Sequence, residues 1–465
     1  MTTPMTALPK VGISGIASYF PRRCVDLEDW SEWTDSNWDK IKAVVGSSFR
    51  IADPREDVYT LSAEAVFSLL KRYDIAPSSV GLLILATESS QDNAVGASTL
   101  KGIVDRKLEK DGLPPLDRNC ETYELKQACL AGIYGIKQAL RWAMLMPPGR
   151  HAVVVSADIA EYELGSTGEP TQGAGAIATL ISQGPKLLEI DPRVAGSSSL
   201  DRGTDFRKPH DRPSAPRNPN ARPSDFPVFD GPYSTASYLD SVCSAFQALL
   251  DCASMKDNRR KGPLSFNRLF FHRPYRQLPE RAAATLLAQT LLSSESFPDR
   301  EVLLRTLLDQ PSSEEPTPLN ELGKRLHKSE LYSNEVAPRL ELGKTLTANF
   351  GNLYTASLPA WIAAALVEGV EDGSVEEGES WLLVGYGSGD ASEALVGRVV
   401  PGWREAAASI NVREALAGGV NLNKKAYQTL HIHGEVNDHL HPTTYRAPRA
   451  SDEGMDSVIP TYELR

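Results

Sequence analysis

The sequence predicts a layered α/β fold built from two similar βαβαβ-type halves, and three observations carry that expectation. Runs of strand length, apolar on both faces, occur at 80–87 and 151–158, as central strands of a parallel sheet require. Helical periodicity fills the space between such runs, so strand and helix alternate. The second half of the chain then repeats the order loosely: a strand with a polar end, a helix, and a strand running into a glycine turn.

The elements follow in order. Residues 10–20 read as a first strand ended by Pro21, and 58–73 as a helix after a Pro-Arg-Glu-Asp start signal. The apolar strand 80–87 ends at Glu88-Ser89-Ser90. A polar run from Glu121 ends at Cys129, and a helix with Ile133, Ile136, Leu140 and Ala143 on one face follows, stopped by Pro147-Pro148-Gly149. A thiol at such a helix start feels the positive end of the dipole and free backbone N–H groups, which favour thiolate. A lone cysteine there also reads as a small buried hydrophobe, and both readings stand at this point.

After the strand 151–158 the chain turns glycine-rich over 165–175. No Gly-Lys-Ser/Thr follows, so it is not a phosphate-binding P-loop; it reads as backbone that approaches something closely. A strand resumes at 176. Residues 207–227 are proline-rich and basic, a loop that is either a solvated insertion or an anion-contacting flap. A helix over 234–253, a strand 268–272 delivering His272 at its end, and a helix 279–292 come next. Residues 294–336 are charged, helical in patches and without chemistry. The apolar helix 358–367 and the strand 381–390 complete the second half.

The expected organisation is therefore 1–185 for one half, 186–400 for the other, and 401–465 as a polar extension over the surface. At 465 residues the chain can bury a core of that size. No apolar run reaches bilayer length, and the start lacks the basic and apolar regions of a signal peptide, so a cytoplasmic enzyme without a membrane partner is expected. The net charge of −11 argues against nucleic-acid binding. Cys24, Cys120, Cys129, Cys243 and Cys252 show no CxxC spacing, which suits neither zinc nor a disulfide framework. Four histidines lie between 431 and 441, but their alternation suits a solvated strand or hairpin better than a metal site. No metal and no cofactor are expected.

Glu88, Cys129 and His272 sit at strand ends or a helix start, and such positions converge at the carboxyl edge of an α/β sheet. A thiolate, a carboxylate and an imidazole together suit thioester acyl transfer. Eight ordered blocks sharpen this. Leu85-Ala-Thr-Glu88-Ser, Glu124-Leu-Lys-Gln-Ala-Cys129, and Ser156-Ala-Asp158-Ile-Ala-Glu-Tyr162 with Gly168-Glu-Pro-Thr171-Gln-Gly come first. Asp205-Phe-Arg-Lys-Pro, Phe226-Pro-Val-Phe-Asp230-Gly and Phe271-His272-Arg-Pro-Tyr follow, then Gly351-Asn352-Leu-Tyr354 and Gly385-Tyr-Gly-Ser388. In this order they resemble the hydroxymethylglutaryl-CoA (HMG-CoA) synthase family of the thiolase superfamily, over about residues 10–400.

The resemblance implies a thiolase-like α/β/α/β/α core and a homodimer. It implies that Cys129 takes an acetyl group, that Glu88 is the general acid/base, and that His272 binds the acceptor ketone with Asn352 beside it. Tyr162, Thr171, Tyr354 and Ser388 would line the acyl site, with Asp158 and Asp205 counted among the substrate-site residues. The backbone N–H groups of Cys129 and Ser388 would stabilise the thioester oxyanion. Acetyl-CoA and acetoacetyl-CoA are the implied substrates, reached through Arg273 and Arg276. An acyl carrier protein is the alternative carrier, as in polyketide β-branching, and a non-catalytic thiolase-like binding protein is the remaining reading. The chain departs from the family pattern at Leu130, usually aromatic, at Gln277, often a lysine, and after Ser388, where bulky residues are usual. These departures surround an intact trio and suggest retained condensation with an altered donor, acceptor or carrier.

Overall fold

The computed structural model describes residues 8–436, except 91–93, 204, 207–225, 228, 296, 298–299 and 309–316, together with short strands at Tyr445–Arg446 and Glu463–Leu464. Most of the basic proline-rich stretch therefore lies outside the described residues.

Nine strands form the main sheet: β1 (Val11–Tyr19), β2 (Val80–Ala86), β3 (Glu121–Leu125), β4 (His151–Ala160), β5 (Gly173–Gln183), β6 (Leu188–Ser199), β7 (Arg268–Phe271), β8 (Ser380–Gly387) and β9 (Ala391–Val399). Their order is β3-β2-β4-β5-β1-β6-β9-β8-β7. The second half repeats the first in mirrored order, with β6, β9, β8 and β7 standing where β1, β5, β4 and β2 stand. In each half the pair farther from the seam is parallel, β2 with β4 and β7 with β8, and the strand returning to the seam is antiparallel. The seam itself is narrow: β1 meets β6 only at Gly12↔Glu189 and Ile13↔Leu188.

Six long helices among the described residues dress this sheet: α1 (Val58–Arg72), α2 (Gly96–Lys110), α3 (Ala131–Leu145), α4 (Gly231–Leu250), α5 (Leu278–Ser293) and α6 (Ser357–Glu371), while α7 (Lys424–His433) lies apart from it. Helices α1 and α2 cover the outer face of the first half, while α4 and α5 cover the second. Helices α3 and α6 touch each other and strands of both halves, so they form the middle layer. That placement explains their composition. Twelve of the fifteen residues of α6 are buried, including Trp361, whose Nε1 donates to the Leu342 carbonyl at 2.8 Å. Every residue of β2 is buried as well; each such leucine contributes about 1.5–3 kcal/mol relative to exposure. Local signals agree with the ends. Asp57 caps α1 in a reciprocal capping box with Thr60, and Asp230 caps α4 through the Tyr233 N–H at 2.8 Å.

Four expectations change. The polar run 121–125 is strand β3, parallel to β2, at one end of the sheet. The nucleophile helix starts at Ala131, so Cys129 stands in the turn ahead of it. The C-terminal segment, expected on the surface, carries α7 with Tyr427, Leu430 and His431 buried. It joins a satellite core with Trp30 and Phe49, beside a small sheet in which Val420–Asn421 pairs with Arg23–Asp26. His431 thus lies in a helix, not a solvated strand. Among the described residues no cluster of three or more His, Cys, Asp or Glu could hold a metal ion, and no helix is long and apolar enough to cross a membrane.

Candidate active site

The mirrored halves bring four segments to one place. Glu88 follows the end of β2, and His272 follows β7, its counterpart. Cys129 precedes the central helix α3, and the Asn352–Tyr354 turn precedes α6. Glu88 joins the other three segments through Cys129, and those three line a cavity of about 180 Å³. Cys129, His272, Asn352, Ser388 and Thr171 line it, within a wall formed mostly by Tyr162, Phe206, Phe229, Tyr238, Tyr275, Tyr354 and Tyr386.

Cys129 sits in a sharp turn after Ala128, whose φ is +45°. Its Sγ–H donates to Glu88 Oε1 at 3.1 Å. The end of β8 presses against this turn: a Cβ on Gly387 would lie 2.4 Å from the Gln127 carbonyl oxygen, so only glycine allows the approach. Leu130 is fully buried and fills the space beside Gly385 and Gly387. The glycine-rich stretch also behaves as expected, because a Cβ on Gly173 would lie 2.5 Å from the Asn352 carbonyl.

His272 is fixed through its backbone, its N–H donating to Val384 O at 2.7 Å and its carbonyl accepting from Tyr238 Oη at 2.9 Å. The ring is 3% exposed, and Nδ1 has no partner among the described residues. Burial lowers its pKa from 6.5 to about 3, so the imidazole is neutral at physiological pH and can donate from one nitrogen. The unfolded ring takes up its proton near 6.5 and the folded one only near 3. Stability should therefore fall as the pH drops through that window, by up to about 1.4 kcal/mol per pH unit. Denaturant unfolding between pH 7 and 4 should show wild type losing stability relative to His272→Asn. A constant difference would contradict the buried neutral state.

Asn352 accepts from Tyr354 N–H and Ser357 Oγ, both at 2.9 Å and both on Oδ1. The residue lines the cavity, and its amide nitrogen makes no hydrogen bond among the described residues.

The two aspartates do not line the cavity. Asp158 is fully buried. Oδ1 accepts from Thr87 Oγ1, Glu88 N–H and Ser89 Oγ at 2.9, 2.9 and 2.7 Å. Oδ2 accepts from Thr355 N–H and Oγ1 at 2.9 and 2.5 Å. Its carboxylate therefore clamps the Glu88 segment to the Asn352–Tyr354 turn. Asp205 accepts from Ser234 Oγ, Tyr386 Oη and Gly389 N–H at 2.6, 2.8 and 3.2 Å, bracing the turn that carries Ser388. Both hold the site in shape, and neither offers a free oxygen to a substrate.

Arg273 is also placed otherwise than expected. It is buried, donates to Thr347 O at 3.1 Å, and has its pKa lowered to about 10 by burial and then by the charge of Arg276. A guanidinium in that position cannot reach a nucleotide in solvent. Arg276 is only partly buried, and its guanidinium forms no ion pair or hydrogen bond among the described residues. Gln277 is the N-cap residue of α5. The aromatic wall residues Phe206, Phe229, Tyr238, Tyr275 and Tyr386 were not singled out from sequence, although four of them lie within the recognised blocks.

A duplicated five-layer α/β core, with its reactive groups where the matching segments of both halves meet, defines a thiolase-like protein. Comparison makes this specific. The family model described as hydroxymethylglutaryl-coenzyme A synthase N terminal matches residues 8–187, and its C-terminal counterpart matches 204–439. The hydroxymethylglutaryl-CoA synthase of Haloferax volcanii is 29% identical over 408 residues, spanning 83% of this chain and 82% of that protein. The solved structure of MvaS in complex with 3-hydroxy-3-methylglutaryl coenzyme A has a TM-score of 0.77 and 27% identity, covering 98% of this chain and 100% of the other. The fold is shared with the curacin-pathway HMG synthase in complex with acetyl donor-ACP, at a TM-score of 0.67 and 23% identity over 91% and 88% of the two chains. The chain belongs to the hydroxymethylglutaryl-coenzyme A synthase family.

Proposed function

We propose that this protein condenses an acetyl group carried on Cys129 with a 3-ketoacyl thioester such as acetoacetyl-CoA, and releases a 3-hydroxy-3-methylglutaryl-type product. The observation that carries this reading is the 3.1 Å contact of Cys129 Sγ with Glu88, at a cavity also lined by the neutral His272. In the first step the Cys129 sulfur attacks the acetyl carbonyl, and the donor thiol leaves with a proton. Glu88, within reach of the methyl of an acetyl group carried on that sulfur, then removes a methyl proton to give the enolate. The enolate carbon bonds to the ketone carbon of the acceptor. His272 and the Asn352 amide donate to the ketone oxygen as it becomes an alkoxide, and Glu88 returns the proton. Water finally cleaves the bond between Cys129 and the product acyl group, which restores the thiol.

The backbone N–H groups of Cys129 and Ser388 are our candidates for the thioester oxyanion, because Gly387 brings their two segments together. Arg276, free of intramolecular ion pairs among the described residues and next in sequence to the cavity residue Tyr275, is our candidate for contact with an anionic carrier. Strand β3 stands at the end of the sheet with β2 on one side only. Its open edge supports a homodimer formed by β3 pairing across subunits. A cytoplasmic role in the mevalonate route to isoprenoids follows from CoA-borne substrates, and one in polyketide β-branching from carrier-borne substrates.

Intact-mass measurement after incubation with acetyl-CoA, or with acetyl-loaded carrier protein, tests the reading. One acetyl group on Cys129 from acetyl-CoA is the expected result. Loading from the carrier alone would move the assignment to β-branching. No adduct from either donor would leave a non-catalytic binding protein.

A further inference from the structure

Behind the cavity wall, where the satellite core meets residues 162–172, lies a buried polar cluster that the reaction above does not use. Glu169 is 2% exposed. Its Oε1 accepts from Trp30 Nε1 at 2.9 Å and from Tyr427 Oη at 2.8 Å, and its Oε2 accepts from Gly165 N–H at 2.6 Å. Gln172 Nε2 donates to Tyr427 Oη at 2.9 Å. Gln172 Oε1 accepts from the Tyr162 N–H at 2.9 Å. His431 Nε2 lies 2.9 Å from the Tyr162 carbonyl and 3.2 Å from Gln172 Oε1. Both of those atoms only accept, so Nε2 carries a hydrogen and donates.

Tyr162 is thus gripped at both ends of its own backbone, by Gln172 at the N–H and by His431 at the carbonyl. Its ring packs in one cluster with Tyr354 and Cys129, edge-on to Phe206 and Phe229 at centroid distances of 6.4 and 6.0 Å. His431 in turn stacks on Phe226 at 5.6 Å. Buried polar networks are costly unless every member is satisfied, and this one is organised around a single cavity residue.

We propose that His431, backed by Tyr427, is a positioning residue: helix α7 sets where the Tyr162 ring stands against the acyl group on Cys129. This rests on the acetyl-Cys129 chemistry proposed above. A displaced ring would open the thioester to water and misplace the acetyl methyl relative to Glu88.

The test uses the full chain with His431→Leu, which removes the donor, and His431→Gln, which keeps an N–H. Tyr427→Phe, which removes one hydroxyl, is the third variant. Each is checked for thermal unfolding, rate of Cys129 acetylation, and the partition of acetyl-enzyme between condensation and hydrolysis. His431→Leu should lower condensation roughly ten- to hundredfold and shift the partition towards hydrolysis. His431→Gln should recover most of the loss, and Tyr427→Phe should shift the partition the same way by less. In a Tyr162→Ala background, which lacks the ring that His431 is proposed to position, His431→Leu should add little. A folded His431→Leu with wild-type rate and partition would overturn the proposal, as would equal impairment of the leucine and glutamine variants. If His431→Leu fails to fold, an unchanged partition in Tyr427→Phe overturns it. Absence of acetyl adduct in wild type is a separate outcome, which sinks the underlying chemistry instead.

Discussion

Glu88→Ala is expected to leave the acetyl adduct on Cys129 while condensation falls by about 10²–10⁴-fold, the range that a positioned general acid or base supplies. The carboxylate stands 3.1 Å from the sulfur, close to where the methyl of an acetyl group on that sulfur must sit. No carboxylate is among the described residues that line the cavity itself, and Glu88 reaches the reacting centre through the Cys129 sulfur. Asp158, whose carboxylate holds the Glu88 segment, spends both oxygens on five donors, one of them the Glu88 N–H. The acetyl methyl would therefore lose its only base, whereas attack by a thiol on a thioester needs far less help. Intact mass and single-turnover condensation with acetoacetyl-CoA separate the two steps. Retained condensation in the variant would refute the role given to Glu88.

Cys129→Ser should abolish both steps, with condensation down by about 10⁴ or more, as for loss of a covalent nucleophile. A hydroxyl has nearly the same shape and can donate to Glu88 in place of the thiol. It is the poorer nucleophile at neutral pH, because its ionisation lies far above that of cysteine. The fold should be unaffected, since the turn is held by backbone contacts such as Leu130 N–H to Gln127 O at 3.1 Å. Thermal unfolding matching wild type, with no acetyl adduct, is the expected pair of results. An adduct that persists in this variant would place the acyl group on another residue.

The parts of the fold legible in the sequence are those where burial is complete. Strands β2 and β4 and helix α6 are apolar on nearly every face, so their pattern survives any uncertainty about neighbours. Strand β3 was missed because a strand at the end of a sheet is half-solvated, and Glu121–Leu125 shows exposed and intermediate positions in turn. Strand β9 was missed for a different reason. Its buried Glu393 is neutralised by Lys137 from α3, a partner no local pattern reveals.

At the site, the ordered blocks led to Glu88, Cys129, His272 and Asn352, and the structure brings all four together. They did not show which way a side chain faces. The resemblance counts Asp158 and Asp205 with the substrate site while also giving them a supporting role in its architecture, and both hold backbone and hydroxyl groups. Arg273, expected to meet the carrier, is turned inward to the Thr347 carbonyl. His431 was the least legible, since its partners on Tyr162 and Gln172 are joined to it only by tertiary packing.

The narrow seam between the halves has a consequence for how the chain reaches this state. Strand β1 supplies the inner strand of the first half, Ala17 pairing with Ala178, and it also makes the two-residue contact with β6. On the ribosome it emerges well before either partner and must wait while the intervening chain is made, at about 5–20 residues per second. Pairings so distant in sequence slow folding, and an apolar strand left waiting is exposed to wrong partners. Chaperone demand during synthesis should therefore concentrate on this strand. Substitutions in β1 should lower the yield of folded protein more than their effect on the finished enzyme would suggest.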